Sequence, residues 1–123
     1  DISMVARLPE IVELQGRVKK IHVSDQIRQY IVALIQALRG DPDVVGGPST
    51  RASVALLKGS RALAFLRGRD YVLPDDVKEL AIPALIHRVR LKPEAEMENV
   101  TPQMVVLRAL QAVPAPTIQW LDE

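Results

Sequence analysis

Six apolar positions, Ile27, Tyr30, Ile31, Leu34, Ile35 and Leu38, recur at steps of three and four residues. That spacing gathers side chains onto one stripe of an α-helix. Ser24 stands where an N-cap hydroxyl accepts a first-turn amide. Arg39 complements the C-terminal dipole, and Gly40 suits the C-cap. The pattern therefore predicts a helix between Ser24 and Gly40, the clearest element of the chain. Asp41-Pro42-Asp43 breaks it and opens a loop that runs to Pro48. A second apolar run extends from Thr50 to Arg67. Ala52, Ala55, Leu56, Gly59, Leu63 and Leu66 form one stripe, and Val54, Leu57 and Phe65 widen it. A helix apolar on most sides is packed on most sides, so this one is expected to be the longest, the most buried and central. Gly59 costs about 1 kcal/mol against alanine in a helix interior, which points to close approach of a neighbour.

The remaining pattern is shorter. Residues 1–8 show no periodicity and read as a linker or an end outside the domain. Pro9 suits a first helical turn, with Ile11, Leu14 and Val18 following at helical spacing. Lys19 to Val23 reads as a brief extended piece, as does Tyr71-Val72-Leu73 after the helix-ending Gly68. Pro74 opens the next helix, with Asp75 and Asp76 complementing its dipole. Its stripe is Val77, Leu80, Ala81, Ala84 and Leu85, with Arg88 where the stripe would continue and Pro83 expected to kink it. Lys92 to Glu96 reads as polar and loose. Thr101-Pro102 starts a last helix, with Met104, Leu107 and Leu110 or Gln111 facing inward, and Pro114 and Pro116 stop it. The sum is an all-α fold: a small bundle of about five helices with short extended connectors, occupying 9–113, with a tail at 114–123. A chain of 123 residues suffices for one domain with a real core.

Composition narrows the chemistry. Sixteen basic residues against 15 acidic ones leave a net charge of +1, without the excess that drives general nucleic-acid or membrane-surface binding. Aromatic residues make up 3%, so base stacking is nearly unavailable and the core is aliphatic. Arg61, Arg67 and Arg69 accordingly read as a solvated rim. There is no cysteine, hence no disulfide and no thiolate metal site, which fits a cytoplasmic setting. His22 and His87 stand too far apart in sequence to suggest zinc. No apolar run reaches the ~18–20 residues of a membrane span.

The segment Gly46-Gly47-Pro48-Ser49-Thr50-Arg51-Ala52 carries the most distinctive signal. Ser49 caps the helix, which puts Arg51 in its first turn. A cation there is disfavoured by about 0.3–1 kcal/mol against the positive end of the dipole. Amides, dipole and guanidinium together suit an anion; a solvated arginine is the plainer alternative. The phosphate-loop pattern of glycine, four residues, glycine and lysine does not occur, nor does a nucleophile-elbow serine. Arg88 has two readings: a snorkelling side chain, or a contact to another domain.

Gly46 to Ala52, then Gly68-Arg69-Asp70-Tyr71-Val72-Leu73-Pro74-Asp75-Asp76-Val77, then Leu85-Ile86-His87-Arg88 follow in order. With Val23-Ser24-Asp25 and Tyr30-Ile31 before them, they resemble the C-terminal helical lid of MoxR-family AAA+ ATPases. The resemblance implies that nucleotide lies between a large α/β core and this lid. It makes Arg51 the sensor-2 arginine, with Gly47, Pro48, Ser49 and Thr50 as its nucleotide-binding loop; the interdomain reading of Arg88 stands beside it. Thr50 stands where the family often has proline. The resemblance further implies a longer parent that binds ATP with magnesium, forms a homo-oligomeric ring and performs chaperone-like remodelling or metal insertion. Partners with von Willebrand A domains are part of that picture. The phosphate loop, magnesium carboxylate and first sensor are absent here, so the chain reads as a fragment. The competing reading is a free-standing helical module that binds proteins or nucleic acid.

Without a phosphate cradle, the chain by itself is expected neither to hydrolyse ATP nor to bind it tightly. Titration calorimetry of ATP into this chain should show no saturable heat in the micromolar range; stoichiometric micromolar binding would contradict the reading.

Overall fold

Helix α1 (Asp25–Arg39) forms where the stripe demands it. The Ser24 hydroxyl accepts from the Ile27 amide at 3.2 Å, and all six stripe residues are buried. The computed structural model describes Glu13 and residues 16–117. After α1 come strand β1 (Val44–Gly46), α2 (Thr50–Leu66), α3 (Pro74–Leu85), a 3-10 turn (Ile86–Arg88), strand β2 (Arg90–Leu91), α4 (Pro93–Met97) and α5 (Pro102–Ala112). The architecture is a helical bundle in which α2 lies against α1 and α3, and α5 closes the other side of α1 and α3. Residues 16–19 are helical, while Ile11 and Leu14 of the expected first helix lie outside the described residues. So do residues 118–123 of the expected tail.

Helix α2 is the longest described helix, but α1 is the more buried. Only Ala52, Leu56, Ser60 and Ala64 of α2 are buried, whereas Val54 and Leu66 are exposed. The buried ridge runs at steps of four and, apart from Leu56, is built of small residues, so neighbours approach closely and leave the flanks half covered. The Ser60 hydroxyl is satisfied within the ridge, donating to the Leu56 carbonyl at 2.7 Å. Gly59 behaves as its helix-interior position implies. A Cβ there would lie 3.1 Å from Leu80 Cδ1 of α3.

The connectors are more ordered than their sequence suggests. His22 and Tyr71 form a parallel bridge: the His22 amide donates to Asp70 at 2.8 Å and the Val72 amide to His22 at 3.0 Å. This buries Ile21, Val23 and Val72. Strand β1 pairs antiparallel with β2, setting Gly46 opposite Arg90. Lys92 to Glu96, expected to be loose, contributes to α4, because Pro93 is pre-set for a first helical position and Ala95 is buried. Helix α5 is turned from its expected face. Val105, Val106 and Ala109 are buried, whereas Met104 and Leu107 are largely exposed. That phase lets Arg108 reach Asp41 at 3.4 Å and Asp43 at 2.7 Å, pinning α5 to the loop after α1.

The junction between α2 and α3 is the strongest polar feature. Arg67 caps α2 and Gly68 follows at φ +75, a left-handed conformation natural to glycine. The Gly68 amide donates to Phe65 and the Arg69 amide to Ala64, both at 3.0 Å, a Schellman closure. Arg69 is thereby aimed at Asp76, whose side chain is wholly buried. Arg69 donates to both carboxylate oxygens at 2.8 and 2.6 Å, Arg67 at 3.1 Å, and the Leu73 amide at 2.8 Å. Arg67 also pairs with Glu79, and Arg69 donates to the Tyr71 carbonyl at 3.1 Å. Arg67 and Arg69 are thus structural ion-pair residues and not a solvated rim. Asp76 does more than complement a dipole.

Burial by itself raises the Asp76 pKa, but the hydrogen bonds from Arg69 and Leu73 and the charges of Arg69 and Arg67 outweigh it and hold the carboxyl below its ordinary value. Its stabilising effect is therefore complete above the unfolded aspartate pKa of about 3.9 and fades as pH falls through the lowered folded value. Asp76→Asn, which leaves Arg69 without a carboxylate and Arg67 with Glu79 alone, should cost about 3–5 kcal/mol in urea unfolding at pH 7. The difference between wild type and variant should shrink as pH drops below about 4.

Candidate functional site

The residues singled out at the start of α2 are placed by a joint that begins at the end of α1. Gly40 caps α1 at φ −90, an ordinary right-handed conformation, so its lack of a side chain is not what ends the helix. The chain then turns: the Asp43 amide donates to Asp41 Oδ1 at 2.9 Å and the Val44 amide to the Asp41 carbonyl at 3.1 Å. Strand β1 carries it past β2, where the Arg90 stem lies along Gly46. A Cβ at 46 would sit 3.5 Å from Arg90 Cδ. Gly47 meets the other side of the joint, and a Cβ there would stand 2.8 Å from Arg39 Cγ and 3.0 Å from Arg39 Cα. Pro48 is fully buried, and its carbonyl accepts from Arg39 Nε at 2.7 Å. The close approach of Arg39 thus explains Gly47, whereas a Cβ at Gly46 would make only ordinary contact with Arg90.

Ser49 leaves this joint in extended conformation and its hydroxyl accepts from the Arg51 amide at 3.2 Å. Thr50 occupies the first helical position. Ser49, Thr50 and Arg51 are exposed. Helices α1, α3 and α4 carry acids in their first turns, Asp25, Asp75 with Asp76, and Glu94 with Glu96, whereas α2 and α5 carry none. The helix N-terminus is therefore uncompensated by the chain itself, and Arg51 adds a further positive charge. Among the described residues, the Arg51 guanidinium has no hydrogen bond or ion pair. Amides, dipole and a planar fork of donors at one exposed helix start suit the oxygens of a phosphate chain. Magnesium is a different matter. Among the described residues no three of His, Cys, Asp and Glu gather as a metal site.

Arg88 lies elsewhere. Helix α3 stops at Leu85 and a 3-10 turn follows, so the stripe does not continue to 88. Arg88 is exposed, with Nε donating back to the Ala84 carbonyl of α3 at 3.2 Å. It is not on an inner face. Reading the sequence missed Arg39 as a loop-holding residue, since its place in a last helical turn accounts for it fully. Asp76 carried a fainter signal: an acid three residues after the N-cap can reach back to the cap amide.

Residues 36–109 match the model of the AAA lid domain family. YeaC, an uncharacterized protein of Bacillus subtilis, is 40% identical over 107 residues, covering 87% of this chain and 33% of that protein. Chaperone MoxR1 of Mycobacterium tuberculosis is 33% identical over 119 residues, covering 89% of this chain and 31% of MoxR1. A crystal structure from Cytophaga hutchinsonii described as a "putative ATPase" superimposes with a TM-score of 0.84 at 30% identity, over 89% of this chain and 36% of that one. The chain spans about a third of the length of these relatives.

Ser49→Ala removes the hydroxyl that accepts at the start of α2, and should destabilise the chain by about 1 kcal/mol, with Ser49→Gly losing only a few tenths. Thermal unfolding of the two variants beside wild type measures the difference.

Proposed function

The chain belongs to the AAA lid domain family, as the C-terminal helical lid of a MoxR-family AAA+ ATPase, and from that premise we propose that its α2 N-terminus closes over ATP bound by a separate α/β core. The single observation that carries this reading is Arg51: exposed, unpaired among the described residues, and set at a Ser49-capped helix start with no acid to offset it. In this proposal Arg51 approaches the β- or γ-phosphate and distinguishes ATP from ADP. Ser49 and Thr50 lie beside the phosphates, while Gly47 and Pro48 serve the loop by holding its path. The phosphate chain supplies the negative charge that relieves the cation at the dipole. Arg88 extends the contact to the core, its charge leaving the lid at an exposed turn.

The same reading takes 9–113 as the lid of a longer protein that uses magnesium ligands from its core, assembles as a homo-oligomeric ring and works in the cytoplasm. Its task is chaperone-like remodelling of client proteins, metal insertion included, with von Willebrand A domain proteins as partners. The name of MoxR1 as a chaperone supports the first part. Among the described residues no helix is long and apolar enough to cross a membrane.

A phosphate contact strengthened in the transition state is worth a few kcal/mol, so Arg51→Ala in the full-length ATPase should slow hydrolysis by roughly 10–1000-fold. The fold should be unaffected or slightly more stable, by up to about 1 kcal/mol, because a like charge leaves the helix start. ATPase rate and thermal unfolding, measured side by side, decide it. Unchanged turnover makes Arg51 an ordinary surface residue, and lost activity with a lowered melting temperature makes it a structural one.

A further inference from the structure

Arg39 lies on α1, outside the segment Ser49 to Arg51, yet its side chain runs directly to the loop that leads into Arg51. Three observations converge on it. Its Nε donates to the Pro48 carbonyl at 2.7 Å, one residue before the N-cap of α2. Its Cα and Cγ lie so close to Gly47 that a Cβ there would stand 3.0 and 2.8 Å away. Pro48, between these contacts, is fully buried and fixed in φ by its ring. The Arg90 stem covers Gly46 from β2. The approach to Ser49 is therefore held by α1 through Arg39 and, two residues earlier, by the pairing of Gly46 with Arg90 of β2.

We infer that Arg39 is a positioning residue for Arg51: its hydrogen bond to the Pro48 carbonyl couples the end of α1 to the start of α2, so that Arg51 is presented in one orientation. This rests on the sensor reading of Arg51. The chemistry asks for a donor at the fourth side-chain atom, not for a charge. A glutamine amide nitrogen occupies the same bond position as arginine Nε, whereas methionine keeps an unbranched apolar stem and has no donor. Arg39→Gln and Arg39→Met therefore separate the hydrogen bond from the stem.

Two measurements test it. In this chain, backbone ¹⁵N relaxation of Gly47, Ser49, Thr50 and Arg51 should give rigid order parameters, about 0.85, for wild type and Arg39→Gln, and clearly lower values for Arg39→Met. In the full-length ATPase, Arg39→Met should lower kcat about tenfold with KM for ATP within about threefold, and Arg39→Gln should restore most of the rate. The added loss should vanish when Arg51 is already alanine, because coupled residues are non-additive. A loop that stays rigid in Arg39→Met overturns the inference, whatever Arg51 does. So does a loss of kcat that persists undiminished in the Arg51→Ala background, since Arg39 would then act by another route. If Arg51→Ala is itself silent, the sensor reading falls, and with it any service of Arg39 to catalysis; a loosened loop in that case leaves Arg39 a structural clasp only.

Discussion

A buried aspartate determines how this bundle is put together. Removing Asp76 from water is unfavourable unless nearly every lone pair is met, and the chain meets them with donors from three sources: the cap of α2, the residue after its closing glycine, and the amide that precedes α3. Each donor fixes a different piece of backbone. Gly68 at φ +75 swings Arg69 into line, and Arg69 in turn holds the Tyr71 carbonyl. The extended residues 70–72 are then free to bridge His22, which brings Ile21 and Val23 into the core below α1. Charge satisfaction at one carboxylate thus sets the angle of α2 against α3 and the entry of the chain into α1.

At the opposite end of α2 the logic is reversed. There the first turn carries no acid, and it holds a cation, Arg51, instead. Stability would favour an aspartate or glutamate at that position. The chain places acids at the starts of α1 and α3 and none at the start of α2, where Arg51 stands instead. The lid is rigid where α2 meets α3 and tightly clasped where α1 meets α2. A second ion-pair set, Arg108 with Asp41 and Asp43, ties the far helix to the same loop that leads to the α2 start.

What the sequence by itself determined was local. The three-and-four spacing of α1, the caps at Ser24, Ser49 and Thr101, the proline-led starts of α3 and α5 and the closing Gly68 depend on residues within a turn or two of one another, so periodicity and capping chemistry suffice to locate them. Arg51 was legible for the same reason, because its conflict with the dipole is an interaction within one helical turn. Tertiary structure decided everything that depends on distance along the chain. Arg108 finds partners 67 and 65 residues away, and that pairing, with Val105 and Val106 beneath it, chose the inward face of α5 over the one its leucine and methionine suggested. Arg67 and Arg69 look like solvated charge until a buried carboxylate is brought beside them. Arg39 looks like a dipole complement until Pro48 is folded back within 2.7 Å of it. Charged side chains are long and their partners are chosen by packing, so their roles follow from the fold, whereas apolar spacing and caps are written into the chain.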